Sequence, residues 1–240
     1  MISCEGLLLQ YGERRLLSLP NFQFEEKGFY VILGRNGSGK SSFLRLLAGL
    51  EQPQAGQLFL QNKPYSAWKR SDFAQELALL QSKQSTTAFM RGEEYVSLGR
   101  HPYLAWHGLL GQKDRQRIRE VMQTLQIEEL AQAKVGQCSD GEKQLLGLAR
   151  VLVQDTPILL LDEISAHLDF INKKQSFQRL KTLAQKKLII LVSHELALAE
   201  AFADHILLLE NQGLLALAPQ GASQKIEEIF EQTSPYHAKT

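Results

Sequence analysis

One stretch constrains this chain more than any other. Gly34-Arg35-Asn36-Gly37-Ser38-Gly39-Lys40-Ser41 follows an apolar run, Phe29 to Leu33, and precedes Ser41 to Leu50, where Phe43, Leu44, Leu46, Leu47 and Leu50 recur at helical spacing. A strand that breaks into a glycine-rich turn and resumes as a helix makes a concave ring of main-chain N–H groups, backed by the positive end of the helix. Such a ring holds phosphate oxygens. Lys40 adds a point charge able to bridge neighbouring phosphates, and Ser41 offers a hydroxyl to Mg²⁺. The nucleotide-contacting stretch is therefore read as Gly34, Asn36, Gly37, Ser38, Gly39, Lys40, Ser41 and Ser42.

The rest of the pattern fits an α/β chain. Leu7 to Tyr11 and Leu16 to Phe24 read as early strands, followed after Phe29–Leu33 by Leu58 to Leu60 and Leu77 to Leu80. From about Thr86 to Ala133 β character gives way to helix, with Arg91 to Leu98 and Asp114 to Leu125 as the clearest segments. Ser139 to Val153 is a further helix; Pro157 to Leu161 and Leu188 to Val192 are aliphatic strands that end in polar residues, with Ala197 to Phe202 a helix after the second. Ile206 to Leu209 and Leu214 to Leu217 suggest a closing hairpin, and Lys225 to Phe230 a last amphipathic helix. Strands aliphatic throughout imply a mostly parallel sheet covered by helices, with its site at the carboxyl ends. The expectation is a P-loop core with an N-terminal antiparallel β portion and a helical subdomain, about residues 86–150, inserted in a single domain spanning 1–240.

Composition removes several classes. With 27 basic and 26 acidic side chains, the formal charge of +1 supplies no field to draw the chain onto nucleic acid, which is not an expected partner. Cys4 and Cys138 show no metal-ligand spacing and suggest no disulfide framework. The longest aliphatic runs fall far short of the ~20 residues of a spanning helix, so any membrane role is expected to be borrowed from a partner.

Two carboxylates close the strand Ile158-Leu159-Leu160-Leu161-Asp162-Glu163. Asp162 is placed to reach Mg²⁺, and Glu163 to orient or deprotonate an attacking water. His194, beyond Leu188 to Val192 and Ser193, emerges at the end of another buried strand and is assigned to the γ-phosphate or to Glu163. Lys40, Glu163 and His194 are thus the catalytic candidates, and ATP with Mg²⁺ the expected substrate and metal.

In this order the motifs resemble the ATP-binding subunits of ABC transporters, from about Leu7 to Gly213. Cys138-Ser139-Asp140-Gly141-Glu142 is similar to the family's L-S-G-G-Q/E signature. By that resemblance Ser139 and Gly141 contact the γ-phosphate held by a second, facing subunit, so that two ATPs lie between two copies. Asp140 departs from the pattern: a carboxylate stands where the family has glycine, and it is expected to point away or to cap the helix. Tyr11 resembles the aromatic that stacks on adenine, with plain sheet packing as the alternative. Ala166-His167-Leu168-Asp169 resembles the D-loop, Asp169 being retained and the usual serine replaced by Ala166. The family's metal-contacting glutamine falls near Leu80-Gln81-Ser82-Lys83-Gln84; gapless matching puts Ser82 in its place, Gln81 and Gln84 are the neighbours, and Gln81 is chosen as the metal contact.

Leu98-Gly99-Arg100-His101-Pro102-Tyr103 looks like the G-R-x-P-[YWF] stretch of ATPases that energise uptake of iron-siderophore, haem or cobalamin, and His167 beside Leu168 and Asp169 is similar to their S-H-L-D version. The resemblance implies a homodimer on ATP binding, integral membrane permease subunits, indirectly a substrate-binding protein, and a peripheral place at the cytoplasmic face of the inner membrane. Phe89, Tyr95, Tyr103 and Trp106 are either anchors for the permease or core of the helical region. The alternatives are the ATPase of another ABC transporter, a soluble ABC protein, or a binding module with impaired hydrolysis.

Overall fold

The computed structural model describes residues 1–82, 88–104, 108–164 and 170–232. Ten strands and eight α-helices follow one another as β1 (Ile2–Tyr11), β2 (Arg14–Gln23), β3 (Gly28–Leu33), α1 (Lys40–Leu47), β4 (Ala55–Leu60), β5 (Lys63–Pro64), α2 (Arg70–Glu76), β6 (Leu77–Leu80), α3 (Gly92–Ser97), α4 (Gln112–Leu125), α5 (Asp140–Gln154), β7 (Ile158–Asp162), α6 (Phe170–Leu183), β8 (Leu188–Val192), α7 (Leu196–Phe202), β9 (His205–Glu210), β10 (Gly213–Leu217) and α8 (Ala222–Gln232) among the described residues.

They form two sheets, one ordered β2-β1-β4-β5 and antiparallel, the other ordered β10-β9-β3-β8-β7-β6. In the larger sheet every neighbouring pair is parallel except the β9–β10 hairpin. The aliphatic runs dictate this arrangement, because a strand that is apolar on both faces must be covered on both. β7 and β8 are buried at every position.

The period of two along those strands sorts their side chains into two cores. Val31, Leu159, Leu161, Ile189, Leu191 and Leu208 face the helices, packing with Tyr95, Val96, Leu146, Phe177 and Ile226. Ile32, Ile158, Leu160, Ile190, Val192 and Leu207 face the other way, against α1 and the antiparallel sheet, where they meet Phe43, Leu47, Leu7, Leu17 and Leu58. A bond from the Ser18 N–H to the Gln212 carbonyl, 2.7 Å, joins β2 to the turn of the closing hairpin. The result presents the carboxyl ends of β3, β8, β7 and β6 side by side, each followed by a loop.

Candidate functional site

Each loop at that edge delivers one part of the site. After β3 the chain turns at Gly34, φ 155°, where a Cβ would stand 2.5 Å from the Leu209 carbonyl oxygen, so no side chain fits. Gly37 and Gly39 also take positive φ, and Gly39 caps α1. The first turn of α1 carries no acidic side chain, leaving its positive end to act on an anion. Lys40 is only 5% exposed, its ammonium donating to the carbonyls of Gly34 and Arg35 at 2.9 and 3.0 Å. Ser38 holds a buried hydroxyl with no hydrogen-bond partner among the described residues, an orphan that a phosphate oxygen in this loop would satisfy. On the outer side, Arg35, Asn36, Gly37 and Ser38 border an open polar cleft of about 850 Å³ shared with Arg15 and the β9–β10 turn.

The side chain of Asp162 lies on the same sheet face as Ile158 and Leu160, toward α1, and so meets that helix: the Ser41 hydroxyl donates to its Oδ1 at 3.1 Å. The Ser82 hydroxyl donates to Oδ2 at 3.2 Å. Ser82 rather than Gln81 is therefore the residue of this loop placed on Asp162. β6 stops at Leu80, and the alternation that would have turned Gln81 to the same face as Asp162 stops with it. Gln84 lies outside the described residues.

Burial pushes the Asp162 carboxyl up, against the hydrogen bonds from Ser41 and Ser82, with the Glu163 charge adding to the rise. Burial likewise pulls the Lys40 ammonium down, against the attraction of Glu163 and Asp162. Both shifts run in the direction that a bound cation beside Asp162 and a bound polyanion beside Lys40 would reverse.

Parallel register sets the next pair. Asp162 lies opposite Val192, so Glu163 and His194 emerge together beyond the strand ends, with His194 Nε2 3.0 Å from Glu163 Oε1. Glu163 sits at φ 51°, a left-handed backbone that costs a non-glycine residue energy. Two bonds hold it there: its N–H donates to the Val192 carbonyl at 3.0 Å, and its carbonyl accepts from Gln144 Nε2 at 3.1 Å. Sequence reading assigned no role to Gln144. The signal was available, since a glutamine in register with Leu148 and Val151 on the buried stripe of α5 needs a polar partner inside.

Ser139 caps α5, its Oγ accepting from the Glu142 N–H at 3.3 Å while Glu142 Oε2 accepts from the Ser139 N–H at 2.6 Å. The cap is thus Ser139 and not Asp140, because the serine has the extended backbone that the capping position requires. Asp140 points into solvent and pairs with Lys143 at 3.3 Å. Gly141 follows in the first turn of α5. Tyr11 ends β1 with half of its surface exposed and its hydroxyl on Glu51, an arrangement that plain sheet packing does not describe. Asp169, with Ala166 and His167, lies outside the described residues, as does Trp106. Of the other aromatics, Tyr95 is core, whereas Phe89 is almost wholly exposed and Tyr103 partly so.

The Gly99-to-Tyr103 stretch is a packing device. A Cβ on Gly99 would stand 2.0 Å from the Arg150 carbonyl oxygen, so only glycine lets this segment lie on α5. Arg100 donates to Asp114 and to the Val153 carbonyl, both at 2.8 Å, and its guanidinium lies 4.1 Å from the centre of the Tyr103 ring.

A strand-loop-helix phosphate cradle after β3, a carboxylate pair at the end of β7 and a histidine beyond β8, the strand between them, define a nucleoside triphosphatase core. The ABC transporter family matches residues 17–166, and the chain belongs to that family as an ATP-binding, ATP-hydrolysing subunit. It is 36% identical to the hemin import ATP-binding protein of Pseudomonas entomophila over 217 residues, covering 88% of this chain and 84% of that one. Against the achromobactin transport ATP-binding protein of Dickeya dadantii it is 30% identical over 227 residues, 94% of this chain and 83% of the other. In fold it matches the dimeric structure of the ABC transporter cassette MJ0796 with a TM-score of 0.82 at 24% identity, over 91% of this chain and 99% of that one.

Proposed function

We propose that this chain powers the import of an iron chelate or haem by hydrolysing Mg-ATP at the site formed by Lys40, Ser41, Asp162, Glu163 and His194. The observation that carries the chemistry is the Glu163–His194 pair beside the Lys40 cradle. Glu163 accepts a proton from water as the water oxygen attacks the γ-phosphorus; the bond to the β–γ bridging oxygen breaks, and ADP and inorganic phosphate leave. His194 donates from Nε2 to the Glu163 carboxylate and keeps it aimed. Lys40 and the N–H groups of the turn hold the charge that grows on the phosphate oxygens.

Ser41 and Asp162 offer hard oxygen donors, with Ser82 beside them, a set that suits Mg²⁺, which takes one or two protein ligands beside substrate phosphates. Mg²⁺ held there would supply positive charge to offset that of the phosphate oxygens. Tyr11 serves as the adenine platform, and Ser139 and Gly141 reach the nucleotide of a second copy, which makes a homodimer the working form. Asp169 is assigned to the contact between copies.

No helix among the described residues is long and apolar enough to cross a membrane, and the transport path is assigned to permease subunits, with a substrate-binding protein upstream. The reading as an importer of iron chelates or haem draws on the relatives' names and on the stretch around Arg100. The test is steady-state Mg-ATP hydrolysis. E163Q is expected to lose at least about 10²-fold in turnover while still binding Mg-ATP, and K40A to lose binding as well. Unchanged turnover in E163Q removes the proton-accepting role from Glu163.

A further inference from the structure

The Tyr11 ring owes its position to a network rooted in the phosphate-binding helix. Its hydroxyl donates to Oε2 of Glu51, and the other oxygen of that carboxylate accepts from Nε of Arg45 at 2.8 Å. Arg45 lies on α1, one turn beyond Ser41. Glu51 stands just past the end of α1 with its side chain 14% exposed. Two further bonds fasten the same loop to the end of β1: the Gln54 N–H donates to the Leu8 carbonyl at 2.8 Å, and the Gln10 N–H to Gln54 Oε1 at 2.6 Å. The Glu51 carboxylate, as acceptor, also holds the phenol proton more tightly than usual.

We propose that Glu51, bridged to Arg45, is a positioning residue for the nucleobase: it fixes the Tyr11 ring relative to the N-terminus of α1, so that base and triphosphate meet one rigid frame. This rests on Tyr11 being the base platform. A half-exposed aromatic side chain that turns freely must be ordered when a base stacks on it, and that cost weakens binding; a ring already tied by its hydroxyl spends nothing further. The network touches no reacting atom, so its effect belongs in ATP affinity and not in the chemical step.

The experiment compares ATP hydrolysis by E51A, E51Q, Y11F, Y11A and the E51A/Y11F double variant, each checked for folding by thermal melting. E51A and Y11F are each expected to raise the KM for ATP about 3–10-fold while kcat stays within about two-fold, and the double variant to be no worse than either alone. E51Q keeps an oxygen able to accept from the phenol and is expected to recover most of the affinity. Inorganic tripolyphosphate, which has no base, should inhibit E51A and the parent chain with equal Ki. Additive effects of E51A and Y11F, a fall in kcat with KM unchanged, or a weakened tripolyphosphate Ki would each overturn the proposal. If Y11A raises KM and E51A does not, the platform stands and the role of Glu51 falls; if Y11A changes nothing, the platform itself falls. Y11F, which removes a single oxygen, keeps the test available should E51A not fold.

Discussion

Asp140 is the residue whose sequence and structure pull hardest against each other. A carboxylate in the signature stretch would repel an approaching γ-phosphate if it faced one, yet its side chain points outward and pairs with Lys143. It also sits in the first turn of α5, where a negative charge is favourable. D140G is therefore expected to change Mg-ATP turnover by less than about three-fold, the scale of an exposed and compensated charge; a rise of ten-fold or more in a steady-state assay would show that the carboxylate obstructs the nucleotide. The candidate site was largely legible at this scale, because Gly34 to Ser41, Asp162, Glu163 and His194 are neighbours along short segments and strand ends bring such segments together. What could not be read were contacts between segments. The Ser82 bond to Asp162 depends on where β6 stops, and the Gln144 bond to the Glu163 carbonyl depends on how α5 crosses β7.

Among the elements, periodicity found nearly every strand and helix whose apolar residues fall on one face. It missed α2, α6 and the two-residue β5. In α2, Arg-Ser-Asp-Phe-Ala-Gln-Glu offers Phe73 as its only large apolar residue, and the chain passes straight into β6. In α6 the first half is mostly polar, and Phe177 and Leu180 supply buried apolar positions only in its second half. The stretch around Arg100, legible as a resemblance, proves to be held by two physical constraints that can be tested apart. G99A forces a methyl group against the Arg150 carbonyl and should cost about 1–3 kcal/mol. For a chain of this size each kcal/mol lowers Tm by about 2–4 °C, so a melt of G99A that overlays the parent would show that α5 can give way.

Asp114 tests the second constraint through pH. Its hydrogen bond from Arg100, with a second from the Gly111 N–H, holds the carboxyl below its ordinary range against the opposing effect of burial. A depressed folded-state pKa means that the stabilisation is complete above the unfolded value, near 3.9, and is lost as pH falls through the folded one. D114N should therefore lower Tm at pH 7 by about 2–4 °C, the effect of roughly 1 kcal/mol, and the gap should close as the pH falls below about 4. A gap of constant size from pH 7 to pH 3 would assign the loss to packing and not to charge.

For the molecule as a whole, the arrangement leaves a question that one chain cannot answer alone: where the exposed N-terminus of α5 finds its ligand. Ser139 and Asp140 face solvent, the Ser139 hydroxyl is already engaged by the Glu142 N–H, and Asp140 and Glu142 in the first turn offset part of the positive pole that the helix end would turn toward an anion. If that anion is the γ-phosphate of a nucleotide held by a second copy, bound Mg-ATP becomes part of the interface, and association must follow nucleotide occupancy as a linked equilibrium. Slow hydrolysis should then trap the pair. E163Q at roughly ten micromolar or more, with saturating Mg-ATP, is expected to double its mass in size-exclusion chromatography with light scattering, and to return to single-chain mass when magnesium is chelated. K40A should not double, because it lacks the bound nucleotide. G141D should bind Mg-ATP yet stay single, since its added carboxylate lies at the helix end that would meet the phosphate. If E163Q binds Mg-ATP at full occupancy and keeps single-chain mass throughout, the interface does not contain the nucleotide, and the role assigned to Ser139 and Gly141 fails while the chemistry at Glu163 stands.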